Sequence, residues 1–240
     1  MNTVPSPPQA SLGDSHPLNL LAPQRRIQGI SAVLLPFDAA GFVDFDALAA
    51  HVARTAAAGI VPAVNMDTGY GHLIGDATRR QVLAVAREAA GPAAGQPFGG
   101  LVAGAWVVDG ESAAFDEAAY AAQLAMITEV EATPVIFPSW GLNTGDDCVI
   151  VERLAGLAHH TPQFIGFELA TAFHPAGRVL SLDAYEQLMA IPNCLGAKHS
   201  SLSRRLEWDR LALRNRTRRE FHVFTGNDLA IDMVRYGSDW

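Results

Sequence analysis

The sequence predicts an α/β chain folded as a (β/α)8 barrel. Three observations carry that prediction: short apolar runs recur at a near-constant interval, amphipathic stretches lie between them, and no glycine-rich phosphate loop follows the first run. The runs cover residues 30–35, 61–66, 99–104, 133–138, 164–169, 194–199 and 221–226, with start-to-start spacings of 31, 38, 34, 31, 30 and 27. Each has the length of a strand buried on both faces, and parallel strands read as continuous apolar segments for that reason.

The stretches between them read as helices over 44–58, 76–90, 115–130, 146–159, 181–190 and 203–215. In the first, Phe45, Leu48, Val52 and Thr55 recur at helical spacing and Gly59 ends it. The second opens with an acidic turn and stops at Gly91, while Ser181 and Ser203 have the hydroxyl that a helix start favours. Strand then helix, repeated, means a parallel sheet covered by helices. Seven strands without a large break fit a barrel better than a doubly wound sheet, whose first strand leads into a phosphate loop. Here the first run leads into Pro36-Phe37-Asp38, and Gly69-Tyr70-Gly71 follows the second run and lacks the third glycine of a dinucleotide fingerprint.

A chain of 240 residues, 49% apolar and 18% charged, can fill one large core. Its net charge of −8 offers no basic stripe for phosphates, so nucleic acid is not an expected partner. The run Arg214-Asn215-Arg216-Thr217-Arg218-Arg219 reads as a solvated helix end, where the helix dipole favours cations. Residues 1–26 are rich in proline and lack an apolar h-region, so they read as a disordered tail ahead of a barrel domain over 27–240, with neither signal peptide nor membrane span. Cys148 and Cys194 form no metal-type pair and read as free interior thiols suited to a reducing cytoplasm. At the prevailing interval an eighth strand would begin near Trp240, so the eighth βα unit is expected to be missing from this sequence. The edges of strands one and seven would then lie open, leaving the 240-residue chain poorly soluble or inactive.

Barrel active sites lie at the carboxyl ends of the strands. That rule selects Asp67, Thr68, Trp106, Ser139, Trp140, Glu168, Lys198, His199 and the stretch from Thr225 to Asp228. One of these stands out by count: of 17 basic residues, 16 are arginine, and the single lysine is Lys198. Arginine replaces lysine on a surface but not where a neutral amine is needed, since guanidinium does not deprotonate. At the end of an apolar run, the lysine amine is expected to enter the barrel mouth among walls that disfavour its charged form. A neutral amine attacks a ketone or aldehyde, and the resulting imine is an electron sink for bond cleavage or formation. His199 is expected to point away from Lys198 by strand alternation. His51 and His72 have no partners at metal spacing, His159-His160 reads as surface capping, and His174 lies in the loop above the mouth.

The chain resembles the dihydrodipicolinate synthase / N-acetylneuraminate lyase family. The resemblance rests on Gly29-Ile30-Ser31-Ala32-Val33-Leu34-Leu35-Pro36-Phe37 with Gly41-Phe42-Val43-Asp44, on Ile191-Pro192-Asn193-Cys194-Leu195-Gly196-Ala197-Lys198-His199-Ser200-Ser201, and on Phe224-Thr225-Gly226-Asn227-Asp228. It implies a TIM barrel, a Schiff base at Lys198, a small 2-keto acid or aldehyde substrate, no cofactor or metal, and a homo-oligomer for the full-length protein. Thr68 and Gly69 match the positions that hold the substrate carboxylate, and Gly226 lies in the seventh-strand motif. Where the family has Gly-Thr-Thr-Gly-Glu this chain has Met66-Asp67-Thr68-Gly69-Tyr70, so Asp67 replaces a relay threonine. Trp140 falls at or beside the tyrosine that a neighbouring subunit lends. Glu168 is assigned to the place of the fifth-strand tyrosine, as catalytic acid/base. These departures imply a Schiff-base lyase or aldolase whose substrate differs from that of dihydrodipicolinate synthesis, with a catalytically silent metabolite-binding barrel as the alternative.

Overall fold

The computed structural model describes residues 16–240. Seven parallel strands pair edge to edge in chain order: β1 (Ile30–Ala32), β2 (Val61–Val64), β3 (Val102–Ala105), β4 (Thr133–Ile136), β5 (Phe164–Leu169), β6 (Cys194–Ser200) and β7 (His222–Thr225). After a short helix α1 (Pro17–Leu20), six longer helices alternate with them: α2 (Phe45–Ala57), α3 (Asp76–Ala90), α4 (Glu117–Thr128), α5 (Asp147–Leu157), α6 (Leu182–Ala190) and α7 (Arg204–Thr217). All seven expected strands and all six expected helices are present, with ends shifted by a few residues. The largest shift is at β3, where residues Pro97–Gly100 form a 3-10 turn ahead of the strand. No helix among the described residues is long and apolar enough to cross a membrane.

Local chemistry sets the helix starts. Asp44, Asp116, Asp146, Ser181 and Ser203 each accept a backbone N–H of the first turn through the side chain. Each such cap satisfies a donor with no partner inside the helix.

Alternation along the strands makes two cores. Val61, Ala63, Val102, Val135, Ile165 and Phe224 point inward and fill the barrel, whereas Val64, Ala103, Ile136, Phe164, Ala197 and Val223 point outward against the helices. In barrels of this kind the functional cavity lies at the carboxyl ends of the strands.

The gap between β7 and β1 departs from the expected open edges. The Asp239 amide donates to the Val223 carbonyl and the Thr225 amide to the Asp239 carbonyl, each at 2.8 Å. On the other side the Trp240 amide donates to Gln28 at 2.9 Å and the Ile30 amide to Trp240 at 2.6 Å. Two extended residues supply the donors and acceptors that both edges require, so backbone hydrogen bonds run all the way round the curled sheet. The Asp239 carboxylate secures this junction: it accepts from Arg25 Nη1 at 2.8 Å and from the Gln28 amide at 2.9 Å, and lies 2.6 Å from His222 Nδ1. Burial pushes its pKa up, but His222, Arg25 and the Gln28 amide outweigh that and hold it below the usual range.

Two further expectations change. Positions 1–15 of the anticipated tail lie outside the described residues, but residues 16–26 pack on the body: Leu20 is buried in the outer core and the Ala22 amide donates to Arg235. Leu20 supplies an apolar anchor that the proline content of the segment obscured. Of the two free thiols, Cys194 is interior, its thiol pushed up to about 12 by burial, whereas Cys148 is exposed on the first turn of α5.

Asp239→Ala should lower stability by about 3 kcal/mol, the low end for breaking a buried pair because Arg25 keeps some solvent contact. A thermal melt should fall by roughly 10 °C. An unchanged midpoint would show that the junction between β7 and β1 does not depend on this carboxylate.

Candidate functional site

A cavity of about 600 Å³ opens at the carboxyl ends of the strands. Its wall draws on every strand and includes Lys198, Asp67, Thr68, Trp106, Thr225 and Gly226 from the predicted set.

Lys198 reaches it through the register of β5 and β6. Phe167 stands opposite Lys198 and Glu168 opposite His199, with one register shift near the start of the pair that leaves Leu195 as the extra residue. The pleat then sends Lys198 and Ser200 into the cavity and Ala197 and His199 out to the helices. Lys198 Nζ lies 4.5 Å from the centroid of the Phe167 ring. An aromatic face carries negative quadrupolar charge and favours a cation there. Behind Phe167 the wall continues through Phe137, edge-on at 5.0 Å, to Trp106, stacked on Phe137 at 3.7 Å.

Close approach fixes one glycine in this wall, Gly226, and one that packs against its aromatic residues, Gly104. A methyl at Gly226 would overlap Ser200 Oγ and stand 2.7 Å from Lys198 Cε. One at Gly104 would overlap the Asn65 carbonyl oxygen, which accepts the Trp106 indole N–H at 2.7 Å. Gly226 thus leaves the channel that the lysine stem occupies, and Gly104 leaves room for the indole.

The expected acid/base is not in the cavity. Glu168 faces the helix layer and is 1% exposed. It accepts from Arg210 Nε at 2.5 Å, Arg210 Nη2 at 2.6 Å and the Leu180 amide at 2.9 Å, and lies 2.8 Å from His199 Nδ1. Burial pushes its pKa up, yet the hydrogen bonds and charges of His199 and Arg210 outweigh it and hold the carboxyl below the usual range. A carboxylate so fully used is a structural anion. Sequence reasoning placed it at the right strand end on the wrong face; the inward residue beside the lysine is Phe167.

The proposed carboxylate cradle is also altered. Asp67 and Thr68 line the cavity, but the Thr68 amide donates to the Asp67 carboxylate at 3.0 Å and the Gly69 amide to the Met66 carbonyl at 3.1 Å. Gly69 is buried against the Val33 carbonyl, away from the wall. Trp140 is half-buried beyond β4, its amide donating to Asp109 Oδ1 at 2.8 Å, and it does not line the cavity of its own chain. Sequence reasoning passed over Phe167, Phe173, His72 and Trp240, and left His174 open; all five line the cavity. The loop carrying His174 is tied down, with the Ala170 amide on the Ser200 carbonyl and His174 Nδ1 accepting the Ala176 amide at 3.1 Å. Its place just after β5 was the signal available, because βα loops form barrel sites.

No family model matches this sequence, and no curated protein sequence matches it. Solved structures do resemble it in fold. Dihydrodipicolinate synthase from Aquifex aeolicus is 19% identical, with a TM-score of 0.68 over 89% of this chain and 68% of that one. The Thermotoga maritima dihydrodipicolinate synthase is 15% identical, with a TM-score of 0.73 over the same shares of the two chains. YagE, a prophage protein of the dihydrodipicolinic acid synthase family from E. coli K12 solved in complex with pyruvate, is 16% identical, with a TM-score of 0.72 over 89% and 68%. The chain therefore has the barrel fold of these proteins.

Glu168→Gln should destabilise the protein by about 3–5 kcal/mol, because Arg210 is left buried without its anion. The wild-type carboxyl is held below its unfolded pKa, so its contribution is present at neutral pH and lost as the pH falls through the folded value. Melts taken from neutral pH to below about 4.3, the usual glutamate pKa, should fall more steeply for the wild type than for the variant. Parallel slopes would remove Glu168 from this role.

Proposed function

We propose that this chain is a divergent Schiff-base lyase or aldolase of the dihydrodipicolinate synthase / N-acetylneuraminate lyase family, acting on a small 2-keto acid or a related carbonyl compound. The observation that carries the reading is the position of the sequence's only lysine: its amine stands in the cavity at the end of β6, over the Phe167 ring. The barrel fold shared with dihydrodipicolinate synthases supports it.

In this reading Lys198 Nζ adds to the carbonyl carbon. The carbonyl oxygen leaves as water with the two amine protons, and a C=N bond replaces C=O. Once protonated, the imine withdraws electrons from the adjacent carbon, so a bond to that carbon breaks or forms with the electron pair held as an enamine. The chemistry requires no metal or organic cofactor. Gly226 keeps the lysine stem in line, and Trp106 and Phe137 exclude water from one side. Trp140, outside its own chain's cavity, is available to serve a neighbouring subunit's site in a homo-oligomer, as the resemblance implies.

Dihydrodipicolinate synthesis itself is not the activity we assign. Phe167 offers no hydroxyl beside the lysine where a fifth-strand phenol would act. That same feature favours the second reading, a barrel that binds a metabolite without turning it over.

Incubation with pyruvate, other 2-keto acids and aldehydes, followed by borohydride and digestion, should leave a stable adduct on the Lys198 peptide and none in Lys198→Arg. Gly226→Ala, which pushes on Lys198 Cε, should slow adduct formation by about 10²-fold, the usual consequence of misplacing a reacting group by an ångström. If no carbonyl compound marks Lys198 in the folded chain, the Schiff-base reading fails. An adduct without turnover of any substrate would select the silent barrel.

A further inference from the structure

The cavity wall limits what the lysine can meet. Among the described residues its only formally charged side chains are Lys198 and Asp67; none of the 16 arginines, all of them described, lines it. The turn after β2, where a 2-keto carboxylate would need donors, has its backbone amides engaged. The amides of Thr68, Gly69, Tyr70 and Gly71 donate to the Asp67 carboxylate, the Met66 carbonyl, the Asp67 carbonyl and again the Met66 carbonyl, at 2.9–3.1 Å. An incoming carboxylate would find only the Thr68 hydroxyl as a donor on this turn, against the lost hydration and the facing Asp67 anion. The apolar part of the wall carries the rings of Trp106, Phe137, Phe167, Phe173, Phe224 and Trp240, set among the polar side chains of Ser31, His72, His174, Ser200 and Thr225. Phe173, half exposed on the loop after β5, extends it toward solvent. Such rings bind a flat apolar group through area and edge-to-face contact, and nothing in them rewards hydroxyl or carboxylate groups.

We propose that the carbonyl compound taken up by Lys198 is an uncharged aldehyde or ketone bearing an aromatic or similarly flat apolar arm, in place of a 2-keto acid. The proposal rests on the Schiff-base reading and narrows its substrate. Imine formation is unchanged: C=O becomes C=N and water leaves. The arm lies on the aromatic wall, and the side facing Asp67 carries no negative charge.

Four ketones test it as a square: acetone, pyruvate, phenylacetone and phenylpyruvate. Within each row methyl is exchanged for carboxylate, and between rows the ring is added. The full chain is incubated with each and with cyanoborohydride, which delivers hydride to the imine carbon while solvent protonates nitrogen. The adduct on the Lys198 peptide is followed against concentration, and each rate is normalised to that of Nα-acetyl-lysine to remove intrinsic reactivity. Phenylacetone should half-saturate at least about tenfold below acetone and below both keto acids, a modest return for one buried ring. Asp67→Asn should narrow the gap between the keto acids and their neutral partners by about tenfold, because a like charge is removed. A keto acid that matches or exceeds its neutral partner overturns the proposal while the adduct itself upholds the Schiff base. Equal saturation with and without the ring overturns the aromatic arm. No adduct from any of the four, nor from phenylacetaldehyde, overturns the proposal; the Schiff-base reading falls with it if the keto acids and aldehydes of the wider screen also leave Lys198 unmarked.

Discussion

The Glu168 carboxylate, sealed behind β5 with Arg210 and His199, is the contact on which the geometry of the site depends. It ties four parts of the chain together: β5 through its own backbone, β6 through His199, α7 through Arg210, and the segment before α6 through the Leu180 amide. Strand side chains alternate, so a slip of one residue between β5 and β6 would change which face each residue presents. Lys198 would then leave the cavity and a buried ion pair would be broken. Replacing such a pair by apolar groups is often neutral, whereas removing one partner costs several kcal/mol. Its value here lies in holding one register among several that apolar packing alone would tolerate.

The same helix closes the other side. Glu207 precedes Arg210 by three residues on α7, so both side chains leave the helix on one face. Glu207 accepts from Thr225 Oγ1 at 3.1 Å on β7 and from the Ser238 hydroxyl ahead of the joining residues Asp239 and Trp240. Burial pushes its pKa up, more than the hydrogen bonds of Ser238 and Thr225 and the nearby His199 pull it down. One helix therefore positions the strand opposite Lys198 and the strand that carries Gly226 next to it.

What was legible in the sequence follows from this arrangement. The strands and helices were readable because each carries its own signal: an apolar run, an amphipathic stretch, an aspartate or serine at the start. Lys198 was readable because a unique lysine at a strand end has few other reasons to exist in an arginine-rich chain. The side Glu168 faces was not readable. Phe167-Glu168-Leu169 is a short strand end with apolar residues in both layers, and the groups that hold the carboxylate outward, the Leu180 amide, His199 and Arg210, lie 12, 31 and 42 positions away. The joining of β7 to β1 was hidden for a different reason, since two residues are too few to give a strand pattern. The amides of the turn after β2 were misread because a motif gives residue types, whereas their availability depends on hydrogen bonds made within the turn.

The corrected wall changes the electrostatic account of the lysine. With Glu168 outside, Asp67, on the β2 side, is the acidic side chain of the wall among the described residues, and Phe167 is the ring beneath Nζ. A ring face stabilises positive charge on that nitrogen by about 1–2 kcal/mol when partly desolvated. In the Schiff-base reading the same ring would face the nitrogen whether the charge sat on an ammonium or on a protonated imine. A carboxylate in the same place would form a tight pair with the ammonium and hold the amine in its unreactive state. A phenol would exchange a proton with the intermediate. In the Schiff-base reading the ring would do neither: it would support a cationic imine without competing for its proton and leave proton transfer to other groups of the wall, among them His174, which its loop holds in place.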